Sequence, residues 1–131
     1  MDLTNSFGGV YQDKRVLVTG HTGFKGSWLS GWLLALGAQV EGFSLAPPTS
    51  PSHFTLTGLE NKIASPFADV RNFTSFNTAV TTFNPDIIFH LAAQALVIPS
   101  YADPLTTMHS NVLGTAHVLE ATRMNEVGAL V

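Results

Sequence analysis

The chain has 131 residues, a formal net charge of −3 at pH 7 and no cysteine, and 45% of its residues are hydrophobic against 11% charged. This length suits one domain with its own core, and the apolar content suits a sheet covered by helices on both faces. The composition argues against nucleic acid as a partner and excludes disulfides, while the lack of a signal peptide or a roughly 18-residue apolar run predicts a cytoplasmic protein without a membrane partner.

The first 13 residues are predicted to form an N-terminal arm. They contain Asn, Ser and a pair of glycines and precede the first β-branched run. Phe7, Val10 and Tyr11 are apolar side chains that can dock this arm on the surface of the domain. The domain itself is expected over residues 14–131.

A glycine-rich turn follows the first predicted strand, Val16–Thr19. Gly20, Gly23 and Gly26 have the spacing Gly-x-x-Gly-x-x-Gly and lead into an apolar helical pattern. Glycine allows a tight turn, close approach of the backbone to a pyrophosphate and close packing of helix on strand. The pattern predicts a phosphate-binding turn at a helix N-terminus, with a purely structural turn as the alternative. A Walker-type loop fits worse, because Lys25 is followed by glycine.

The first helix is predicted over Phe24–Leu36, stopped by Gly37, with Trp28 and Trp32 in the core. A second strand is predicted over Gln39–Ser44. The end of this strand lacks the Asp or Glu that binds the ribose 2′-hydroxyl in many NAD-binding domains. The residues therefore leave the choice between NAD and NADP open.

A proline-rich loop over residues 46–52 excludes a regular helix or a central strand, and it either borders a ligand or only connects. A short helical turn, His53–Leu56, and a third strand, Ile63–Phe67, are predicted next, the strand near an edge because it contains Pro66. Asp69 would then lie at the carboxyl edge of the sheet. It either accepts a hydrogen bond from an adenine amino group or caps a turn.

A helix over Thr74–Phe83 and a buried strand over Asp86–Leu91 follow. The small Ala92 and Ala93 after that strand would let a flat cofactor lie against the backbone. His90 is interpreted as a hydrogen-bonded strand residue, and since the five histidines show no metal-ligand spacing, no metal site is predicted.

A long helix is predicted from Asp103 or Pro104 to about Asn125, with Asn111 in its middle, where a buried amide would need partners. Residues 128–131 would begin a fifth strand. Strands and helices alternate throughout, which predicts an α/β fold: a Rossmann-like doubly wound parallel sheet, truncated after about four strands.

With these motifs in order, the chain resembles the N-terminal part of the extended short-chain dehydrogenase/reductase family. The resemblance rests on four segments: Thr19–Gly26, Asp69–Arg71, His90–Gln94 and Asn111–Thr115. Within that family, residues 20–29 and the segment from Ala92 to Leu105 are similar to the CDP-glucose 4,6-dehydratase group. A different sugar-nucleotide epimerase or dehydratase on the same scaffold is the alternative.

The resemblance implies NAD as the cofactor and a nucleotide sugar, CDP-glucose, as the substrate of a full-length enzyme that forms homo-oligomers. Its implied cofactor-binding residues fall into three groups. The turn supplies Gly20, Thr22, Gly23, Phe24, Lys25 and Gly26; the adenine side supplies Asp69 and Val70; the nicotinamide side supplies Leu91, Ala92, Ala93 and Gln94, supported by Asn111.

The implied reaction moves a hydride from sugar C4 to the nicotinamide, removes water across C5 and C6, and returns the hydride to C6. Its base is a Tyr in Tyr-x-x-x-Lys, and neither Tyr11 nor Tyr101 has Lys four positions later. No catalytic residue is therefore assigned. We expect a fragment without the substrate domain and without activity of its own; a non-catalytic NAD(P)-binding module and a functionless remnant remain the alternatives.

Overall fold

The computed structural model of the protein describes residues 3–131. Its strands are β1 Arg15–Thr19, β2 Gln39–Phe43, β3 Ile87–His90 and β4 Ala129–Leu130. They form one parallel sheet in the order β2-β1-β3-β4. The chain thus leaves β1 toward one side of the sheet and later returns to its other side. The prediction of a doubly wound parallel α/β fold is confirmed.

In the described part of the chain, six α-helices and three short turns of 3-10 or π type surround the sheet. The helices are α1 Phe24–Ala35, α2 His53–Leu56, α3 Phe73–Phe83, α4 Val97–Ala102, α5 Pro104–Met108 and α6 Gly114–Met124, and the turns are 3-10 turns at Ser6–Gly9 and Leu59–Asn61 and a π turn at His109–Leu113. The π turn joins α5 to α6, so the predicted long helix is present with one wider turn at Asn111. Within residues 3–131, no helix has the length and apolar character needed to cross a membrane.

The core has two parts, one on each face of the sheet. Val16 and Val18 pack with residues of α1 and α2 on one face, and Leu17 packs with residues of α3 and α6 on the other. Alternate residues of a strand point to opposite faces, so three consecutive apolar residues serve both parts of the core. This burial on both faces explains the continuous apolar sequence of β1.

The predicted third strand, Ile63–Phe67, is wrong as a regular strand. The segment makes two isolated parallel bridges beside β2, Glu41 with Ala64 and Ser44 with Phe67. Pro66 has no N–H to donate, which interrupts the ladder between these bridges. The position beyond β2, at the edge of the sheet, agrees with the prediction.

The prediction that Trp28 and Trp32 lie in the core is also wrong, since they are 58% and 50% exposed. The buried face of α1 consists of Gly26, Ser27, Ser30 and Leu33. These mostly small residues let the helix axis come close to the sheet, and the bulky tryptophans are left on the outer side.

Aromatic neighbours partly cover the tryptophans. Trp28 stacks on the ring of His53, with centroids 4.5 Å apart, and Phe7 of the arm meets Trp32 edge-on at 5.6 Å. Tyr11 contacts Phe89, so Phe7 and Tyr11 dock the arm as predicted, whereas Val10 is exposed. The first two residues of the predicted arm lie outside the described range.

Candidate functional site

The glycine turn is shaped by the close approach of the backbone on two sides. Gly20 has a φ of +73°, and a Cβ atom there would lie 2.8 Å from the backbone of Leu91 and Ala92. A Cβ on Gly26 would overlap the carbonyl group of Gly20. The tight turn therefore requires Gly20, and the close packing of α1 on β1 requires Gly26, for the steric reasons that the sequence indicated.

The N-terminus of α1 has no side-chain cap, a feature it shares with the six-residue α4, whereas three other helices are capped. Ser52, Asn72 and Asp103 cap α2, α3 and α5 with their side chains. Gly23 begins α1 with no side-chain cap. The first N–H groups of a twelve-residue helix are thus left to an external acceptor, and the helix dipole favours an anionic one.

Two side chains of the turn, those of Thr22 and His21, anchor it to other parts of the domain. The hydroxyl of Thr22 lies 2.9 Å from that of Ser44 and donates to the Leu45 carbonyl at 2.9 Å, which ties the turn to the end of β2. His21 is fully buried, bonds Ser65 through Nε2 and contacts the ring of Phe54. Burial lowers the pKa of His21 from 6.5 to about 4, so the ring is neutral near pH 7.

The glycine turn borders one side of a crevice at the carboxyl edge of the sheet. The Leu91–Gln94 segment forms the other side of this crevice. The amide groups of Leu91 and Ala92 donate to the hydroxyl of Thr19 at 3.0 and 3.1 Å. The side chain of Asn111 bonds Gln94 twice, accepting from its N–H at 2.8 Å and donating to its carbonyl at 2.9 Å. This pairing gives the half-buried mid-helix amide of Asn111 the partners that the sequence predicted for a buried one.

Asp69 and Val70 lie after the bridge segment, beside α6. The carboxylate of Asp69 accepts from the Arg71 N–H at 2.9 Å and from its guanidinium at 2.8 Å. The hydrogen bond from the Arg71 side chain lowers the pKa of Asp69. Of the two roles predicted for Asp69, the structure displays the turn cap. Val70 is buried with its side chain beside Gly114, and its carbonyl lies 2.8 Å from Nδ1 of His117.

The geometry brings the glycine turn and the Leu91–Gln94 segment together at the carboxyl ends of β1 and β3. This is the point of the sheet where the strand order reverses, and ligands of open parallel sheets bind there. Sequence reasoning missed the polar partners that build the site, Thr19, Ser44 and Thr115. The available signal was a threonine at the end of an otherwise apolar buried strand.

Comparison with known proteins identifies the family. Residues 17–129 match the family model of GDP-mannose 4,6 dehydratase. The chain belongs to this family. The resemblance to sugar-nucleotide dehydratases and epimerases of the extended short-chain type, stated from the motifs, is confirmed at this level.

Curated relatives of the family match over most of the chain. It is 49% identical over 113 residues to a CDP-glucose 4,6-dehydratase of Salmonella typhimurium, a match covering 86% of this chain and 32% of the relative. It is 39% identical over 119 residues to a UDP-glucose 4-epimerase of Mycolicibacterium smegmatis, covering 89% and 37%. The chain therefore spans about one third of the length of these relatives.

Solved structures share the fold. The UDP-glucose 4-epimerase of Thermus thermophilus, solved in complex with NAD, superposes with a TM-score of 0.77 at 33% identity over 88% of this chain and 36% of its own. The protein Pen from Bacillus thuringiensis gives a TM-score of 0.80 at 27% identity, over 92% of this chain and 38% of its own.

Proposed function

We propose that this chain is the NAD-binding, amino-terminal part of a CDP-glucose 4,6-dehydratase. The observation that carries the proposal is the uncapped N-terminus of α1, held at the reversal point of the sheet by Gly20 and Gly26. An anionic group fits there, as the pyrophosphate of a dinucleotide would. The choice of substrate is supported by the 49% identity to the Salmonella enzyme.

The residues around the crevice fit NAD in three parts. The N–H groups of the turn would hold the pyrophosphate, and the exposed Lys25 adds a positive charge beside them. The backbone of Asp69 and Val70 would border the adenine. The nicotinamide would lie on the segment that Thr19 and Asn111 hold. The residues in these roles are Gly20, Thr22, Gly23, Phe24, Lys25, Gly26, Asp69, Val70, Leu91, Ala92, Ala93, Gln94 and Asn111.

NAD, when bound, supplies a hydride acceptor for the sugar C4. The contribution of the chain itself is to bind the dinucleotide and to orient it through fixed backbone groups, which limits the entropy lost in the reacting complex. Tyr11, in the arm, contacts Phe89 of β3, and Tyr101 is 84% exposed. We therefore assign proton transfer to residues of a full-length enzyme rather than to either tyrosine.

Titration of the 131-residue chain with NAD, followed by calorimetry, tests the cofactor proposal. We expect binding, and at least a roughly tenfold loss of affinity for Gly23→Val. Gly23 has an ordinary φ of −73°, and its Cβ would lie 3.3 Å from the Gly20 carbonyl oxygen, so the variant needs a shift of only a few tenths of an ångström while it fills the space where a phosphate would approach. Gly31→Ala in the same helix is the matched control, because its Cβ would make only an ordinary contact with Leu59. Failure of the unaltered chain to bind NAD would overturn the proposal.

Fusion proteins test the substrate proposal. We expect residues 1–131, joined to the remaining part of the Salmonella relative, to convert CDP-glucose into CDP-4-keto-6-deoxyglucose, seen as the loss of one water by mass spectrometry. The chain alone should form no such product. A fusion to the remaining part of the Mycolicibacterium epimerase tests the other family chemistry. NAD binding without turnover in either fusion would favour a non-catalytic binding module.

A further inference from the structure

The imidazole ring of His90 links the two elements that hold the Leu91–Gln94 segment, β1 and α6. His90, the last residue of β3, lies 2.8 Å from the Thr19 hydroxyl through Nδ1 and 3.1 Å from the Thr115 hydroxyl through Nε2. Thr19 belongs to β1, and Thr115 lies in the first turn of α6. The ring therefore bridges the two elements that hold the segment.

The hydrogen positions in this network follow from the number of acceptor sites. A hydroxyl has one hydrogen and two lone pairs. The lone pairs of Thr19 Oγ1 accept from the amides of Leu91 and Ala92 at 3.0 and 3.1 Å, and the Leu91 N–H is shared with the Thr19 carbonyl at 3.2 Å. Its hydrogen must then be donated to His90 Nδ1. A neutral imidazole that accepts at Nδ1 carries its proton on Nε2.

The hydrogen bonds continue from His90 into the π turn with the same donor-to-acceptor direction. His90 Nε2–H donates to Thr115 Oγ1, and the Thr115 hydroxyl donates to the Asn111 carbonyl at 2.6 Å. The side chain of Asn111 then accepts from the N–H of Gln94 and donates to its carbonyl. Every donor in this series has an acceptor, and the series runs from one end of the segment to the other.

We infer that His90, as its Nε2–H tautomer, is a positioning residue that fixes the Leu91–Gln94 segment between Thr19 and the π turn. This inference rests on the proposed function only in that the fixed segment is where the nicotinamide would lie. The half-buried ring is kept neutral because burial lowers the pKa of His90. A neutral ring is what the direction of the hydrogen bonds requires.

The tautomer can be measured directly on the chain labelled with ¹⁵N-histidine. Two-bond proton–nitrogen spectra should show an imine-type Nδ1 and a protonated Nε2 for His90. A protonated Nδ1, or an averaged pair of nitrogen shifts that indicates tautomer exchange, would overturn the inference. This measurement needs no cofactor, so it decides the question even if NAD does not bind.

Thr115→Val tests whether the network positions the segment. The variant keeps the shape of the side chain but removes the hydroxyl, and we expect amide hydrogen exchange at Leu91, Ala92 and Gln94 to become about tenfold faster. NAD affinity should fall about three- to tenfold through the same loss of order. Thr115→Ser restores the hydroxyl and should restore both values.

Thr78→Val is the matched control, because the Thr78 hydroxyl donates to the carbonyl four residues earlier, as that of Thr115 does, but in α3. Equal exchange rates in the two valine variants would overturn the positioning role. The expected exchange effects together with no NAD binding by the unaltered chain would instead overturn the proposed function. The two failures are therefore distinguishable.

Discussion

The glycine turn and the Leu91–Gln94 segment lie next to each other at the carboxyl edge of the sheet, but different features shape them. The shape of the turn requires glycine at two positions, because a Cβ at Gly20 or Gly26 would meet backbone atoms. The segment is held by side chains that come from β1, β3 and the π turn. The glycines that shape the turn lie within seven residues of one another, and the side chains that anchor it reach 23 and 44 positions along the chain, whereas the bonds that hold the segment reach up to 73 positions.

Gly26→Ala should have the largest effect, because the new methyl group would overlap the Gly20 carbonyl in the tightest contact of the turn. We expect a loss of about 3 kcal/mol in the free energy of unfolding, measured by urea denaturation. Gly31→Ala in the same helix should instead add about 0.5–1 kcal/mol. Equal stability of the two variants would show that the turn does not depend on the missing side chain.

His21 should make stability depend on pH. Its pKa is about 4 when folded and 6.5 ordinarily, so the unfolded chain binds more protons between these values. Stability should therefore fall as the pH is lowered from about 6.5 to about 4, by up to about 3 kcal/mol. His21→Asn should remove most of this slope and leave the part that the lowered pKa of His90 contributes, whereas His109→Asn, at an exposed histidine, should keep all of it. A wild-type slope in His21→Asn would assign the pH dependence to other groups.

Asn111→Ala tests the side-chain support of the second region. It leaves the N–H and the carbonyl of Gln94 without the two bonds at 2.8 and 2.9 Å. We expect a loss of about 2 kcal/mol, together with faster amide exchange at Gln94 than in the glycine turn. Asn61→Ala, at an exposed position in a 3-10 turn, should change neither quantity. Uniformly faster exchange in both regions would contradict independent support.

Asp86→Asn should have the smallest effect and should spare the candidate site. Asp86 accepts the Arg15 N–H at 2.9 Å at the amino ends of β1 and β3, and this bond lowers the pKa of its carboxyl group. The partly exposed ion pair at 3.4 Å contributes less than about 1 kcal/mol. NAD affinity measured by calorimetry should be unchanged. A clear loss of affinity would show that the two ends of the sheet are coupled.

Local patterns predicted most of the elements. Three apolar residues in β1 and the Asn72 and Asp103 caps determine strand and helix positions through short-range sterics and hydrogen bonds. Trp28 and Trp32 were misplaced because helical spacing does not say which side of α1 meets the sheet. That choice depends on how closely small residues let the helix approach.

The sequence by itself determined the alternation of strands and helices, the glycine turn and the absence of cysteine chemistry, because these follow from residue type and spacing. Only the tertiary structure decided that His90 joins Thr19 to Thr115, and that Asn111 closes on Gln94 from a π turn. These bonds link residues 17 to 71 positions apart. Their geometry exists only after parallel strands have been brought side by side, so no local pattern can specify it.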